Sequence, residues 1–249
     1  SFTRVGNVGN KADYNYPRVG SFGSVDHEYE IGRYKVSNKE YALFLNGVAQ
    51  KSDPNGLYNS KMRIRKERKG DKIIYKAYPA TANAAVTYVS WHNALDYCNW
   101  LGEAYMISDQ GRKVQRKANA KYFLPTEDEW YKACYYDPKN KKYKLYPLRD
   151  AHRIENSNKL PSKSSYGMME TSDHIWEWTE SKVGEAFRGI RSDSWFQGNN
   201  RQAAGRYYSN PELELGHLGF RVARPAPAST KETKIENAGL LKRARRFGR

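Results

Sequence analysis

The chain has 249 residues, 39% hydrophobic and 14% aromatic, with 43 Lys and Arg against 27 Asp and Glu for a formal net charge of +16. A chain of this size and composition buries a core, which excludes disorder throughout, and no run approaches the roughly 18 apolar residues of a membrane helix, so no membrane span is expected. Two cysteines are too few for a disulfide framework or a four-thiolate zinc site, and the five histidines (His27, His92, His152, His174, His217) lack paired-ligand spacing, so no metal site is assigned.

Residues 1–27, rich in Gly, Asn and Tyr (Gly6-Asn7-Val8-Gly9-Asn10, then Tyr14-Asn15-Tyr16-Pro17), predict an extended segment broken by turns, after which Tyr29, Ile31 and Tyr34 line a strand. In Ser37-Asn38-Lys39-Glu40 the Ser and the Glu three residues on form a capping box, each satisfying a helix-end donor. Tyr41, Phe44, Leu45 and Val48 follow at helical spacing, which predicts a helix to about Ala49. Asp53-Pro54-Asn55-Gly56 is a turn, and Lys61 to Tyr78 alternates as a charged hairpin about Lys69-Gly70-Asp71 with its basic residues outward.

Ser90 caps a second helix in which Trp91, Ala94, Leu95, Cys98 and Leu101 share one stripe; it is expected to end on Gly102 in a left-handed cap. Gly111 to Lys121 is polar and basic and predicts a loop. Thr126-Glu127-Asp128-Glu129 is a second capping box, opening a short helix through Trp130 and Cys134 that Asp137-Pro138 stops. From Asp150 to Arg224 only short aromatic-rich segments appear, predicting loops over small sheets. Beyond Pro225 the sequence turns to Pro-Ala-Pro-Ala-Ser and then to Lys231–Arg249, with seven basic residues against two acids, a tail expected to be disordered alone. No internal repeat is visible, which excludes solenoids and propellers.

Several segments carry a resemblance in common order: Tyr34-Lys35-Val36-Ser37-Asn38-Lys39-Glu40-Tyr41-Ala42-Leu43-Phe44-Leu45; Val89-Ser90-Trp91 with Ala94 and Tyr97-Cys98-Asn99-Trp100-Leu101; Phe123-Leu124-Pro125-Thr126-Glu127-Asp128-Glu129-Trp130; Tyr166-Gly167; Ile175-Trp176-Glu177-Trp178-Thr179; Arg191-Ser192-Asp193-Ser194-Trp195; Arg206; and Gly219-Phe220-Arg221-Val222-Ala223. Together they resemble the formylglycine-generating-enzyme-like family, the sulfatase-modifying-factor domain with a C-type-lectin-like fold. The resemblance spans residues 28–224. It implies a single irregular α+β domain with two main helices, small antiparallel sheets and long loops, flanked by the extended segment 1–27 and the basic tail 225–249.

The departures bear on function. The family's aerobic enzymes oxidise a substrate cysteine with copper held by two thiolates shortly after a Gly-Gly-Ser-Trp/Tyr motif. The corresponding stretch here reads Ser194-Trp195-Phe196-Gln197-Gly198-Asn199-Asn200-Arg201-Gln202-Ala203-Ala204, without cysteine. Cu(I) requires soft sulfur ligands, and neither amide nor guanidinium replaces them. Copper-dependent oxidation is therefore expected to be absent, with no catalytic residue and no cofactor assigned. Cys98 and Cys134 sit at helix core positions and read as buried packing.

Where the family places Gly-Asn before Trp-Glu-Trp and can hold calcium, this chain has Asp173-His174. Asp173 and Glu177 offer oxygens and His174 offers none, so calcium is left open but not predicted. Another branch of the family displays variable ligand-binding residues after the Ser-Trp motif. The matching positions are Trp195, Phe196, Gln197, Asn199, Asn200 and Arg206, a mixture suited to adaptable polar recognition. For Trp195 a core position is the favoured reading, and Gln197, Asn199 and Asn200 read as exposed, where amides are usually plain loop.

Basic residues cluster at Lys61–Lys72, Arg112–Lys121, Lys139–Lys144 and in the tail. Neither a groove-entering helix motif nor a stacking platform accompanies them, so nucleic acid is not the expected partner, and solvated faces are the bland reading. The reading preferred is docking onto an acidic protein partner. Leu240 and Leu241 followed by Lys242, Arg243, Arg245 and Arg246 join an apolar anchor to charge that steers association. The sequence thus predicts a non-catalytic binding or assembly subunit of a larger complex, with Trp195, Gln197, Asn199, Asn200, Arg206, Lys242, Arg243, Arg245 and Arg246 as binding residues. The competing expectation is a divergent enzyme that reuses the cleft through His174, Glu177 or Arg206. Ser rather than Met at position 1, with the resemblance to a largely exported family, sets the expectation of an extracytoplasmic bacterial protein.

Overall fold

Helix formation follows the capping chemistry. In the computed structural model, which describes residues 1–14, 20–108, 113–144, 163–169, 175–192 and 206–227, α1 (Asn38–Val48) opens on Ser37. The Ser37 hydroxyl accepts the Glu40 N–H at 3.2 Å, and the Glu40 carboxylate accepts the Ser37 N–H at 2.8 Å. Tyr41, Phe44 and Leu45 bury the inner face.

The second helix, α2 (Trp91–Gly102), starts where Ser90 Oγ accepts the Asn93 N–H at 3.1 Å, and Trp91, Ala94, Leu95 and Cys98 form its buried stripe. Its end differs from expectation: the left-handed residue is Glu103, at φ 53°, and Gly102 remains helical. Gly102 answers a packing need instead, since a Cβ there would lie 3.0 Å from that of Lys121. The third helix, α3 (Glu127–Tyr135), carries the second capping box, with Thr126 Oγ1 accepting from Glu129 N–H at 3.1 Å and Glu129 accepting from Thr126 N–H at 2.6 Å.

The strands, in chain order, are β1 (Phe2–Val5), β2 (Tyr29–Gly32), β3 (Ile64–Lys69), β4 (Lys72–Ala77), β5 (Tyr105–Ser108), β6 (Lys113–Arg116), β7 (Tyr136–Asp137) and β8 (Lys142–Tyr143). They continue as β9 (Trp176–Val183), β10 (Phe187–Arg191), β11 (Tyr207–Ser209), β12 (Leu218–Phe220) and β13 (Ala223–Pro225). The extended N-terminal segment contributes β1, which pairs with β2. Ile31 on β2 faces Thr3 on one side and Ala223 of β13 on the other, so the two ends of the domain close one sheet.

A second sheet runs β11-β10-β9-β12. Its β9–β12 pair is parallel, whereas β9–β10 and β10–β11 are antiparallel. The charged hairpin is β3–β4, turning at Gly70 with φ 59°. The stretch Gly111–Lys121 is not all loop: Lys113–Arg116 is a strand on β5. Polarity hid it, because Lys113 and Gln115 face solvent and the partly buried Val114 and Arg116 are too few to mark an apolar alternation.

The core is aromatic, and its buried indoles are polar-satisfied. Trp91 Nε1 donates to the Thr179 carbonyl at 2.9 Å, Trp178 Nε1 to the Val89 carbonyl at 2.9 Å, and Trp130 Nε1 to Glu177 at 3.0 Å. Each bond joins a helix or its entry to β9, which fixes the central strand between α2 and α3. Gly219 on β12 completes the arrangement: a Cβ there would lie 2.5 Å from the Val86 carbonyl oxygen.

Candidate functional site

Among the charges buried around β9 and α3, two carboxylates stand out because each takes a buried arginine. At the first, Glu177 is fully buried and takes Arg221 in a two-pronged ion pair, through Nε and through Nη2 at 2.7 Å, with Lys35 Nζ 3.6 Å away. The same guanidinium donates to the carbonyls of Gly32 at 2.9 Å and Arg33 at 3.1 Å. Burial pushes the Glu177 carboxyl up, but Arg221 and Lys35 outweigh it and hold the group below the usual carboxylate range. These contacts tie β9 to the chain after β2 and after β12, so Glu177 serves the frame. His174 and Asp173, read beside it in the sequence, lie outside the described residues.

At the second place, Glu127 at the start of α3 is buried between two guanidinium groups. Arg191 Nε donates to Oε1 at 2.8 Å, and Arg206 donates from Nε to Oε1 and from Nη2 to Oε2, both at 2.9 Å. The Glu127 N–H meets Ser181 Oγ at 2.8 Å. The Phe22 ring lies under both cations, 4.5 Å from the Arg191 guanidinium carbon and 5.0 Å from that of Arg206. Tyr131 faces Arg191 from 5.1 Å, and its hydroxyl donates to Asp13 at 2.9 Å.

This second cluster defines the candidate site because of where its cations lie in the chain. Arg191 ends β10 and Arg206 precedes β11, so the residues between them leave and rejoin the sheet at one carboxylate. That intervening stretch holds Trp195, Gln197, Asn199 and Asn200, which lie outside the described residues. Arg191 is buried whereas the Arg206 side chain keeps 29% exposure. Ser192, also buried, has no partner for its hydroxyl among the described residues. Arg191, Ser192 and Arg206 thus flank the stretch at a cluster where two guanidinium groups meet Glu127, with Asp13 reached through Tyr131.

The other sequence-derived residues fall elsewhere. Cys98 and Cys134 are buried on α2 and α3 and form no disulfide, and burial pushes the Cys98 thiol far up, so it is not a thiolate at neutral pH. Lys66, Arg68 and Lys69 are carried on the β3–β4 hairpin, where Arg65 and Lys76 share Glu67 at 2.7 and 3.4 Å. Of the third cluster, Lys144 pairs with Asp137 at 3.4 Å. Lys242, Arg243, Arg245 and Arg246 lie outside the described residues.

Sequence reasoning missed Glu127, Arg191 and Phe22. Thr126-Glu127-Asp128-Glu129 was legible as a cap, yet its acids act differently, since Glu129 caps the helix while Glu127 gathers the two arginines. The signal available was an acid at the first helical position with no capping duty to explain it.

A mixed α+β domain with this strand order, an indole-anchored central strand and a buried carboxylate that takes both Arg191 and Arg206 is a scaffold of the sulfatase-modifying-factor class. Residues 21–226 match the sulfatase-modifying factor enzyme 1-like domain, and the chain belongs to that family. The inactive C-alpha-formylglycine-generating enzyme 2 of Mus musculus is 27% identical over 170 residues, covering 57% of this chain and 49% of that protein. The Bos taurus protein of the same name is 27% identical over 57% of this chain and 50% of its own length, so this chain spans about half the length of these relatives. The serine/threonine-protein kinase pkn1 of Chlamydia caviae is 22% identical over 80% of this chain and 33% of that protein. Among solved structures, Treponema denticola variable protein 1 superposes with a TM-score of 0.58 at 17% identity, covering 90% of this chain and 95% of its own. CarF superposes with a TM-score of 0.57 at 17% identity, covering 91% and 98%. Both share the fold.

Proposed function

We propose that this chain is a non-catalytic binding or assembly subunit on the sulfatase-modifying-factor scaffold, which docks an acidic protein partner through its basic loops and tail. The observation that carries the first half is the placement of sulfur. The chain has two cysteines, both are buried on helices, and none stands in the stretch after Ser194-Trp195. A copper centre of the family's kind needs paired thiolates there. Relatives named as inactive formylglycine-generating enzymes support the same reading.

The second half rests on charge. A net +16 attracts acidic surfaces at long range, and Glu127 ties together Arg191 and Arg206, which flank in sequence the stretch holding Trp195, Gln197, Asn199 and Asn200, a residue mixture suited to polar recognition. Calcium has no role in this reading.

Two measurements test it. Cu(I) titration with oxygen uptake on a cysteine-containing peptide is expected to be silent, and turnover overturns the non-catalytic reading. Fluorescence anisotropy of a labelled octaglutamate peptide at about 150 mM salt is expected to show binding that weakens when Lys242, Arg243, Arg245 and Arg246 are changed to Glu. No binding at that ionic strength overturns the docking reading.

A further inference from the structure

A groove of about 760 Å³ lies between the β5–β6 hairpin and the β9–β10 hairpin, lined among others by Trp91, Lys113, Arg116, Glu180, Lys182 and Arg188. Its charges divide into a balanced set and a surplus. Arg116 Nε donates to Glu180 at 2.7 Å, and its Nη2 donates to the Leu124 carbonyl at 3.0 Å and to Glu129 at 3.3 Å. Tyr105 donates its hydroxyl to the same Glu180 oxygen at 2.8 Å. The one acid of the lining among the described residues is thus taken up by Arg116 and Tyr105.

Arg188 is different. Its guanidinium lies 3.9 Å over the Trp91 ring, and its one hydrogen bond among the described residues runs from Nη1 to the Glu180 carbonyl at 3.4 Å. No carboxylate lies within 4.0 Å of it among the described residues, and the same is true of the exposed Lys113. Lys182 at the rim meets the exposed Glu185 at 2.6 Å. Burial pulls the Arg188 pKa down and outweighs the opposing pull of the Glu180 charge, which is already engaged by Arg116.

The fork is also pre-set. Arg188 sits where the β9–β10 register shifts, and Gly189 beside it permits the close approach of Thr179, whose Oγ1 would lie 2.9 Å from an added Cβ. An aromatic face under a guanidinium fixes its plane, and a fixed plane presents paired donors suited to a carboxylate.

We propose that this groove receives an acidic side chain of the partner protein, with Arg188 as the carboxylate-binding residue and Lys113 and Lys182 as the charges that guide it in. The inference rests on the docking reading above and names its seat. Met106, half exposed on the rim, supplies apolar contact for the stem of the incoming residue. A nucleic acid fits less well: base stacking needs an open aromatic face, and Trp91 is fully buried beneath Arg188.

The test uses the full chain with fluorescein-labelled octaglutamate and, separately, labelled oligothymidine, at physiological ionic strength. Arg188→Gln is expected to weaken octaglutamate binding about tenfold or more, and Arg188→Lys, which keeps charge but not the fork, to fall between. Thermal unfolding checks that each variant folds; Lys113→Glu, exposed on β6, is the second variant and is expected to weaken binding as well. Octaglutamate binding that survives both Arg188→Gln and Lys113→Glu but falls with the tail variant overturns the groove and leaves the docking reading standing. No binding by the unaltered chain overturns both, and oligothymidine bound as tightly and lost through Arg188→Gln overturns the assignment to an acidic peptide.

Discussion

Replacing Arg221 by Met tests whether the buried charge around Glu177 holds the frame. Arg221 is fully buried, makes both contacts to the Glu177 carboxylate, and donates to the carbonyls of Gly32, Arg33 and, at 3.3 Å, Met169. Met fills much of the volume and replaces none of these bonds. Glu177 is then left with Lys35 at 3.6 Å and Trp130 Nε1 at 3.0 Å. Removing one partner of a buried pair costs about 3–5 kcal/mol, a large part of the roughly 5–15 kcal/mol that holds a domain folded. Urea unfolding followed by Trp fluorescence at pH 7 measures the loss.

The pH dependence gives an independent sign. In the unaltered chain the Glu177 pKa is depressed, so its stabilisation is present above the unfolded value of 4.5 and is lost as pH falls through the folded value. In Arg221→Met the burial of Glu177 prevails and raises its folded pKa above the unfolded one. The charged carboxylate then destabilises at neutral pH, and the penalty fades as protonation sets in. The gap between the two proteins is expected to narrow by about 1 kcal/mol or more from pH 7 to pH 5. A loss under about 1 kcal/mol at pH 7, or a gap that ignores pH, would refute the reasoning.

Two other substitutions separate packing from charge. Glu127→Ala leaves Arg191 and Arg206 facing each other over Phe22 without their shared carboxylate and is expected to cost about 3–5 kcal/mol, whereas Arg206→Ala, removing the more exposed partner, is expected to cost about 1–2 kcal/mol. Equal losses in urea unfolding would show that Glu127 is not the shared anchor. Gly219→Ala places a Cβ 2.5 Å from the Val86 carbonyl, whose own residue is held by its N–H to Val36 at 2.8 Å, so β12 must move; thermal unfolding is expected to show a loss of about 1–3 kcal/mol, and an unchanged midpoint contradicts the close approach.

What could be read from the sequence depended on how far along the chain each cause lies. The caps at Ser37, Ser90 and Thr126 act over three residues and the apolar stripes over four, and all three helices follow them. The β3–β4 turn is equally local. Errors arose where a distant contact decides. Gly102 meets Lys121 rather than ending its helix, and the polar strand Lys113–Arg116 exists because β5 pairs with it. The arginines were the least legible. Arg191, Arg206 and Arg221 look alike in sequence, and only the fold shows that one carboxylate on α3 collects the first two while Glu177 on β9 takes the third.

That distinction bears on what a large positive charge means. A +16 chain invites the view that its cations form one sticky surface. Here several of the strongest are withdrawn: Arg191 and Arg221 are buried against acids, and Arg116 is shared between Glu180 and Glu129. Charge that is paired and buried orders the scaffold and attracts little, whereas Arg188 and Lys113 have no such carboxylate among the described residues. Under the proposed docking, Arg188→Gln should therefore weaken octaglutamate binding more than the loss of the same single charge at an exposed lysine that already meets an acid, such as Lys76 beside Glu67.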